Sequence, residues 1–443
     1  MPHILLLGAG RSATVLIAYL FRQAGILGWR VTVADLSVAH LPKPEQEYLQ
    51  IISLNIQDEA QLKAQMQEVD LIISLLPALY HPIIARWCLK LRKNLITASY
   101  VTPEIQELHA AAKEAGLLFL MEIGLDPGID HLSAMNLLDN IRQKGGNILS
   151  YKSYTGGLIA PESDTNPWHY KFTWNPRNVV LAGQGTAKYL EDGRYKFIPY
   201  HQLFNRTEPI SILDLGEFDG YANRDSLLYQ QPYGLQDVQT IIRGTLRRRG
   251  YCQGWHLLVQ LGLTNDSYQL PESAQITYRQ FLKSYLPPVT NTQTDWVNRV
   301  AAYLNIPPAS EALALLQYLE FPEEPINLEY ATPAQVLEKL LLQKWALQPQ
   351  DKDMVVMQHL VTYELNEERK ELKASLVVLG EDQHQTAMAK TVGLPVGIAA
   401  KLILTGQLPH TGVVIPTHPN IYIPLLRELE TYGISFVEEE RTL

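Results

Sequence analysis

His3-Ile4-Leu5-Leu6-Leu7-Gly8-Ala9-Gly10-Arg11-Ser12-Ala13 decides the fold of the first third of this chain. A short apolar run ends in a glycine turn, and Leu16, Ile17 and Leu20 follow at helical spacing. This is a strand, a turn and a helix carrying the GxGxxA form of the dinucleotide fingerprint. Gly8 permits the tight turn, Gly10 lets the backbone approach a pyrophosphate, and Ala13 keeps helix and strand close. The amides at the helix start then hold the negative charge.

Outward from that loop, apolar runs at His3 to Leu7, Trp29 to Ala34, Leu71 to Leu76, Leu95 to Ala98 and Leu117 to Met121 alternate with helical patterns. Such alternation predicts an α/β, Rossmann-type domain with parallel strands and crossover helices. Asp35 ends the second strand, where a carboxylate can accept hydrogen bonds from the adenosine ribose and would repel a 2'-phosphate. NAD is therefore expected over NADP. Leu75, Leu76 and Pro77 end one strand, and Thr97-Ala98-Ser99 another. In an open α/β sheet those carboxyl ends border the crevice for cofactor and substrate.

Composition narrows the partners. The 443 residues exceed one ordinary core, and 46% apolar with 19% charged residues describes a globular chain. A formal net charge of -9 argues against a nucleic-acid partner, since neutralising phosphates needs a basic face. Two cysteines, Cys88 and Cys252, are too few for a disulfide framework or a multi-cysteine metal site and suit a reducing compartment. The N-terminal apolar run lacks a basic flank, and no segment reads as the ~20 apolar residues of a membrane span. A cytoplasmic location is the resulting expectation. With no HExxH and no clustered His/Cys spacing, no metal is expected.

After Asp126 the sequence turns aromatic and turn-rich to about residue 245. This predicts a second α/β domain inserted into the first. Thr332-Pro333 followed by Val336, Leu337, Leu340 and Leu341 gives a cap, a first-turn proline and an apolar stripe. Met354 to Glu364 and Lys373 to Leu379 read as strands, and Thr386 to Leu404 as one helix. The division expected is 1–126 with 386–443 for the dinucleotide domain, 127–269 with 349–385 for a substrate-binding and dimerisation domain, and 270–348 for a helical subdomain.

Gly124-Leu125-Asp126-Pro127-Gly128-Ile129-Asp130-His131 follows the last strand of the dinucleotide domain. A purely structural turn needs its Gly and Pro but not its acids. Here the chain resembles the saccharopine reductases, also called saccharopine dehydrogenases (L-glutamate-forming), which carry the same run. The resemblance continues in Ser153 to Gly157, Ala160 to Glu162, Asn166-Pro167, Tyr170 to Trp174, Asn223 to Ser226, Ile242 to Arg247, Asp353 to Val356 and Thr391 to Pro395. It spans nearly the whole chain and implies a homodimer. It also implies substrate contacts from Ser99, Asp126, Arg224, Thr245, Leu246 and Arg247, with Trp174 lining the pocket. Cofactor contacts would come from Gly10, Arg11, Ser12, Ala13, Thr97, Leu125 and Asp126, with Gly8, Asp35 and Leu75 around them. Fungal members that use NADP tend to carry a basic residue at or beside Asp35, and Thr155 stands where some members have cysteine.

The residues support that reading on their own chemistry. Saccharopine carries three carboxylates, so its pocket needs several cations with planar, bidentate geometry. Arg224, Arg243 and Arg247 offer such a set in an acidic chain. The expected reaction, a step of lysine metabolism, moves a hydride from the carbon beside the secondary amine to NAD or NADP. The resulting imine hydrolyses to 2-aminoadipate 6-semialdehyde and glutamate. A proton acceptor is required, for which Asp126 is the first candidate and Tyr100 the second. His131 reads as a structural histidine bonded to backbone. Two alternatives stand beside this one. A carboxynorspermidine dehydrogenase or homospermidine synthase-like enzyme would call for acidic pocket residues in place of the arginines. A non-catalytic dinucleotide sensor would have its pocket sealed.

Overall fold

A computed structural model describes residues 1–41, 43–288 and 295–443. Residues 289–294 of the expected helical stretch lie outside the described residues. The chain forms two compact units. The first holds Met1–Asn147, Leu365–Glu367 and Leu376–Val437; the second holds Ile148–Glu364, Glu368–Ser375 and Glu438–Leu443. Strands follow the chain as β1 His3–Leu7, β2 Arg30–Asp35, β3 Leu49–Ser53, β4 Leu71–Ser74, β5 Asn94–Thr97 and β6 Leu118–Leu120. They continue as β7 Asn147–Ile159, β8 Thr186–Glu191, β9 Arg194–Pro199, β10 Glu208–Ser211, β11 Glu217–Ala222 and β12 Thr240–Arg248. The last are β13 Asp353–Leu365, β14 Glu368–Leu379, β15 Gly412–Val414 and β16 Val437–Thr442.

The first unit is built on a seven-stranded sheet in the order β15-β6-β5-β4-β1-β2-β3, with every pair parallel. Parallel strands are covered on both faces and so read as continuous apolar runs. Ile4, Leu5, Leu6 and Leu7 are accordingly all fully buried. On one face Leu5, Ile72, Leu95 and Phe119 pack against Leu62, Met66, Ile84, Cys88 and Ala112. The order reverses between β1 and β4, which puts the glycine loop at the topological switch point. β3 and β15 extend the sheet beyond the five strands legible in the sequence.

Two helices of this unit, Thr14–Leu27 and Ala387–Leu404, approach closely enough to need glycine. A Cβ on Gly393 would lie 2.9 Å from the backbone nitrogen of Leu16, and one on Gly397 would lie 2.5 Å from the Tyr19 ring. Thr386 caps the later helix, its hydroxyl accepting from Ala389 N at 2.9 Å. By length and composition this is the one described helix able to cross a membrane, yet 72% of it is buried inside the unit. The Thr391 to Pro395 motif is thus spent on packing.

The second unit carries a mixed sheet, β10-β11-β12-β7-β13-β14-β16, with the β8–β9 hairpin attached at β12. Its core is aromatic. Trp168, Trp255 and Trp345 are fully buried, and Trp345 lies within 5.4 Å, centroid to centroid, of Trp168, Tyr170 and Phe172. The Trp168 indole donates to Leu315 O at 2.9 Å, so its one polar group is satisfied. The helix Pro333–Lys344 starts with a capping box between Thr332 and Gln335.

Gly393→Ala should lower stability by about 1 to 3 kcal/mol, because the new methyl meets Leu16 backbone rather than a movable side chain. A urea midpoint equal to wild type would contradict this packing.

Candidate active site

The glycine loop is fixed from three sides. Gly8 has φ +97°, and a Cβ there would lie 2.9 Å from the carbonyl carbon and oxygen of Leu75, so only glycine fits. Gly8 N donates to Ala34 O at 2.9 Å and Leu75 N to Leu7 O at 2.8 Å, which ties the loop to the ends of β2 and β4. Gly10 differs. Its φ is -70°, and a Cβ would meet nothing within 4 Å. The fold does not require glycine there, so the bare backbone serves whatever lies against it. Arg11 is exposed, Ser12 half-buried, and Ala13 is buried where the helix begins. This open cradle at a helix start fits a pyrophosphate.

Asp35 ends β2 beside the glycine loop. Its Oδ2 accepts from Ala9 N at 2.7 Å and its Oδ1 from Ser37 N at 3.0 Å, so the carboxylate holds the glycine loop. At the far ends of the strands, Leu75 is half-buried and Thr97 buried. His81, unremarked in the sequence, opens the helix His81–Leu91 and bonds Ser74, Thr97 and Ser99.

The two candidate bases meet: the Tyr100 hydroxyl donates to Asp126 Oδ1 at 3.2 Å, and both side chains are half-buried. Glu122, also missed, clamps the segment around Tyr100. Its backbone N donates to Ser99 O at 3.1 Å, and its Oε1 accepts from Val101 N at 2.9 Å. Its Oε2 takes the ring nitrogen of His131 at 2.9 Å. His131 is thus bonded through this nitrogen to a carboxylate. Asp130 is buried and accepts from Gly128 N at 2.6 Å. One of the two acids in the turn thus shapes the turn itself, contrary to the expectation that acids there mark function alone. Leu125 is buried, and its carbonyl accepts from Asp130 N at 3.1 Å.

In the second unit β12 alternates, so Arg243, Thr245 and Arg247 share one face. Their registered neighbours Ser153 and Thr155 on β7, and Tyr221 and Asp219 on β11, stand on the same face. Leu246 points the other way, is fully buried, and has its Cβ packed over Gly156. Its side chain thus lies on the face of β12 opposite Arg243, Thr245 and Arg247. Arg224 follows β11, is exposed, and adopts φ +54°. Trp174 is half-buried in the loop after Thr173.

Arg247 is 4% exposed. Its guanidinium carbon lies 5.2 Å from the Tyr170 ring centroid and 5.3 Å from that of Tyr251. Nη1 donates to Leu246 O at 2.9 Å, while Nε has no partner. Among the described residues it makes no salt bridge. Asp219, opposite it in register, instead accepts from Gly250 N at 3.3 Å. Burial raises the phenols of Tyr170 and Tyr251 and pushes Tyr221 up to about 12, so the surrounding rings are neutral. The hydroxyls of Thr155 and Tyr170 are likewise buried without a partner. Arg243 is buried with its guanidinium carbon 4.1 Å from the Tyr229 ring centroid. A cation and polar atoms sealed among neutral rings describe a seat for an anion.

The switch-point glycine loop with its strand-end carboxylate defines the first unit as a dinucleotide-binding domain of the oxidoreductase kind. More narrowly, the chain belongs to the saccharopine dehydrogenase family. Residues 4–120 match the model of the saccharopine dehydrogenase NADP binding domain, and residues 124–434 that of the saccharopine dehydrogenase C-terminal domain. It is 33% identical over 451 residues, 99% of each chain, to the saccharopine dehydrogenase (NADP(+), L-glutamate-forming) of Schizosaccharomyces pombe. The solved saccharopine dehydrogenase (L-Glu forming) of Saccharomyces cerevisiae superposes with a TM-score of 0.87 at 31% identity, covering 100% of both chains. A homospermidine synthase from Legionella pneumophila, at 10% identity and TM-score 0.59 over 99% of this chain and 91% of its own, shares the fold alone. The expected preference for NAD finds no support in the family model or the fission-yeast relative, both of which name NADP.

Two outcomes follow from the first unit. Gly10→Ala should keep the wild-type melting temperature yet bind reduced cofactor at least about tenfold more weakly in a fluorescence titration, a cost of ~1.4 kcal/mol. Unchanged affinity would remove the cradle. Burial lowers the His81 imidazole from its ordinary 6.5 to about 4. Between those values the unfolded chain binds a proton that the folded one refuses, so stability is full above the upper value and is lost as pH falls toward the lower. Urea midpoints at pH 7 and pH 5 should fall more for wild type than for His81→Gln; equal falls would refute the assignment.

Proposed function

We propose that the chain oxidises saccharopine at the carbon–nitrogen bond on its lysine side, giving 2-aminoadipate 6-semialdehyde and L-glutamate with one reduced nicotinamide. The observation that carries this reading is Arg247, a buried guanidinium in a neutral aromatic box with no carboxylate partner among the described residues. A tri-acid substrate supplies the missing charge. Thr245 and Arg243 stand on the same face of β12 to receive the remaining polar groups. A polyamine, itself cationic, would be repelled from that face. The family, with relatives named for this activity, supports the same substrate.

A nicotinamide dinucleotide held at the Gly8 to Ala13 loop would supply the acceptor for the hydride that leaves the lysine-side carbon. The chain must then handle two protons, one leaving the secondary amine and one leaving the water that adds to the imine carbon. Asp126 is the proposed acceptor at its carboxylate. The Tyr100 hydroxyl, donating to Oδ1 at 3.2 Å, orients that carboxylate and can return a proton as the carbon–nitrogen bond breaks. Addition of water and loss of glutamate complete the balance.

NADP is the cofactor the relatives' names and the family model support. Asp35 works against it in this chain, since its carboxylate ends β2 where a 2'-phosphate would meet a like charge. Asp35→Ser should therefore raise the ratio of kcat/KM for NADP to that for NAD, and an unchanged ratio would remove Asp35 from cofactor selection.

Initial rates of nicotinamide reduction should show turnover with saccharopine, and none would overturn the reading. Asp126→Asn should lower kcat by on the order of 100-fold or more while saccharopine still binds, with the acid-side ionisation lost from the rate profile. A stable Asn variant with near-normal kcat would pass the role of base to Tyr100.

A further inference from the structure

One imidazole gathers three hydroxyls at the carboxyl ends of β4 and β5. His81, 1% exposed, has Nδ1 3.0 Å from the oxygen of Ser74, the last residue of β4. Its Nε2 lies 2.8 Å from Ser99 Oγ and 3.3 Å from the hydroxyl of Thr97, the last residue of β5. Ser99 is held from two further directions, its N donating to Thr97 Oγ1 at 3.2 Å and its carbonyl accepting from Glu122 N at 3.1 Å. Tyr100, which bonds Asp126, is the next residue along the chain.

Tying the strands together does not require this histidine. β4 and β5 are already paired residue by residue, from Leu71 with Asn94 to Ser74 with Thr97. An apolar side chain would fill the same space without burying two ring nitrogens. Nor does the arrangement move a proton across the protein, because Ser74 is fully buried and its hydroxyl bonds His81. Every hydrogen-bonding partner of the ring is a hydroxyl. A neutral imidazole satisfies that set, donating from one nitrogen and accepting at the other. Ser99 alone among the three hydroxyl residues is only half-buried. With one side of its oxygen bound to His81, the remaining hydrogen-bonding direction is left for the crevice at the strand ends.

We propose that His81 is a positioning residue that fixes the Ser99 hydroxyl for a polar group of the substrate, beside the Tyr100–Asp126 pair. The proposal rests on the functional reading above and deepens it. Glutamine at this position reaches about as far as Nε2 and can still bond Ser99. Asparagine reaches only about as far as Nδ1 and is left with Ser74.

The test compares His81→Asn, His81→Gln, Ser99→Ala and the His81→Asn, Ser99→Ala double variant in the saccharopine assay. Loss of one neutral hydrogen bond predicts a KM for saccharopine raised roughly five- to tenfold in His81→Asn, with cofactor KM unchanged. His81→Gln should recover most of that loss, and Ser99→Ala should add nothing in the His81→Asn background. Asparagine and glutamine variants with the same KM, or losses that multiply in the double variant, would overturn the proposal. Absence of saccharopine turnover in wild type would instead overturn the functional reading. The positioning claim is then read from amide exchange at Ser99, which must be faster in His81→Asn than in His81→Gln; equal rates reject it.

Discussion

A buried guanidinium without an anion is the constraint on which the second unit turns. Removing such an ion from water costs several kcal/mol. Two ring faces, at ~0.5 to 2 kcal/mol each, and one backbone hydrogen bond, at ~1.5 to 3 kcal/mol, offset part of that. They leave Nε of Arg247 unmatched. The usual remedy, a neighbouring carboxylate, is in register at Asp219 and turned away to Gly250. Such an arrangement serves a ligand better than it serves the fold. β12 makes it possible, because strand alternation places Arg243, Thr245 and Arg247 on one face while Leu246 packs the other.

In the first unit the same division between fold and ligand falls within a few residues. Gly8 is glycine because Leu75 leaves no room, and Gly10 is glycine although the protein leaves ample room. Asp35 stabilises the loop through Ala9 whatever its effect on the cofactor. In the Gly124 to His131 turn, Asp130 and His131 are consumed by Gly128 and Glu122, which leaves Asp126 as the acid that meets Tyr100. Glu122 clamps the backbone on both sides of Tyr100, so the geometry of the pair is set from beneath by a buried residue.

What the sequence made legible was whatever local rules govern. Strand runs buried on both faces, the fingerprint, and the cap at Thr332 are written in adjacent residues, and each is found in place. β3 was missed because Leu49-Gln50-Ile51-Ile52-Ser53, at the edge of its sheet, is only partly buried and carries polar residues. Partners distant in sequence were invisible. Nothing near His81 announces Ser99, and nothing near Glu122 announces His131 or Val101. A motif read as a run also hides the period of two that its strand imposes, which turns the Leu246 side chain away from those of Thr245 and Arg247.

Arg247 is buried for the substrate, and Arg247→Met, similar in length but uncharged, tests that role most directly. The ligand-free variant should unfold at a urea concentration equal to or above that of wild type, because a desolvated charge has been replaced by an apolar chain. Its kcat/KM for saccharopine should fall by about 100-fold, a loss of ~2.7 kcal/mol of charge-assisted binding. A variant destabilised by several kcal/mol that keeps its kcat/KM would show that Arg247 belongs to the fold, and would contradict the account.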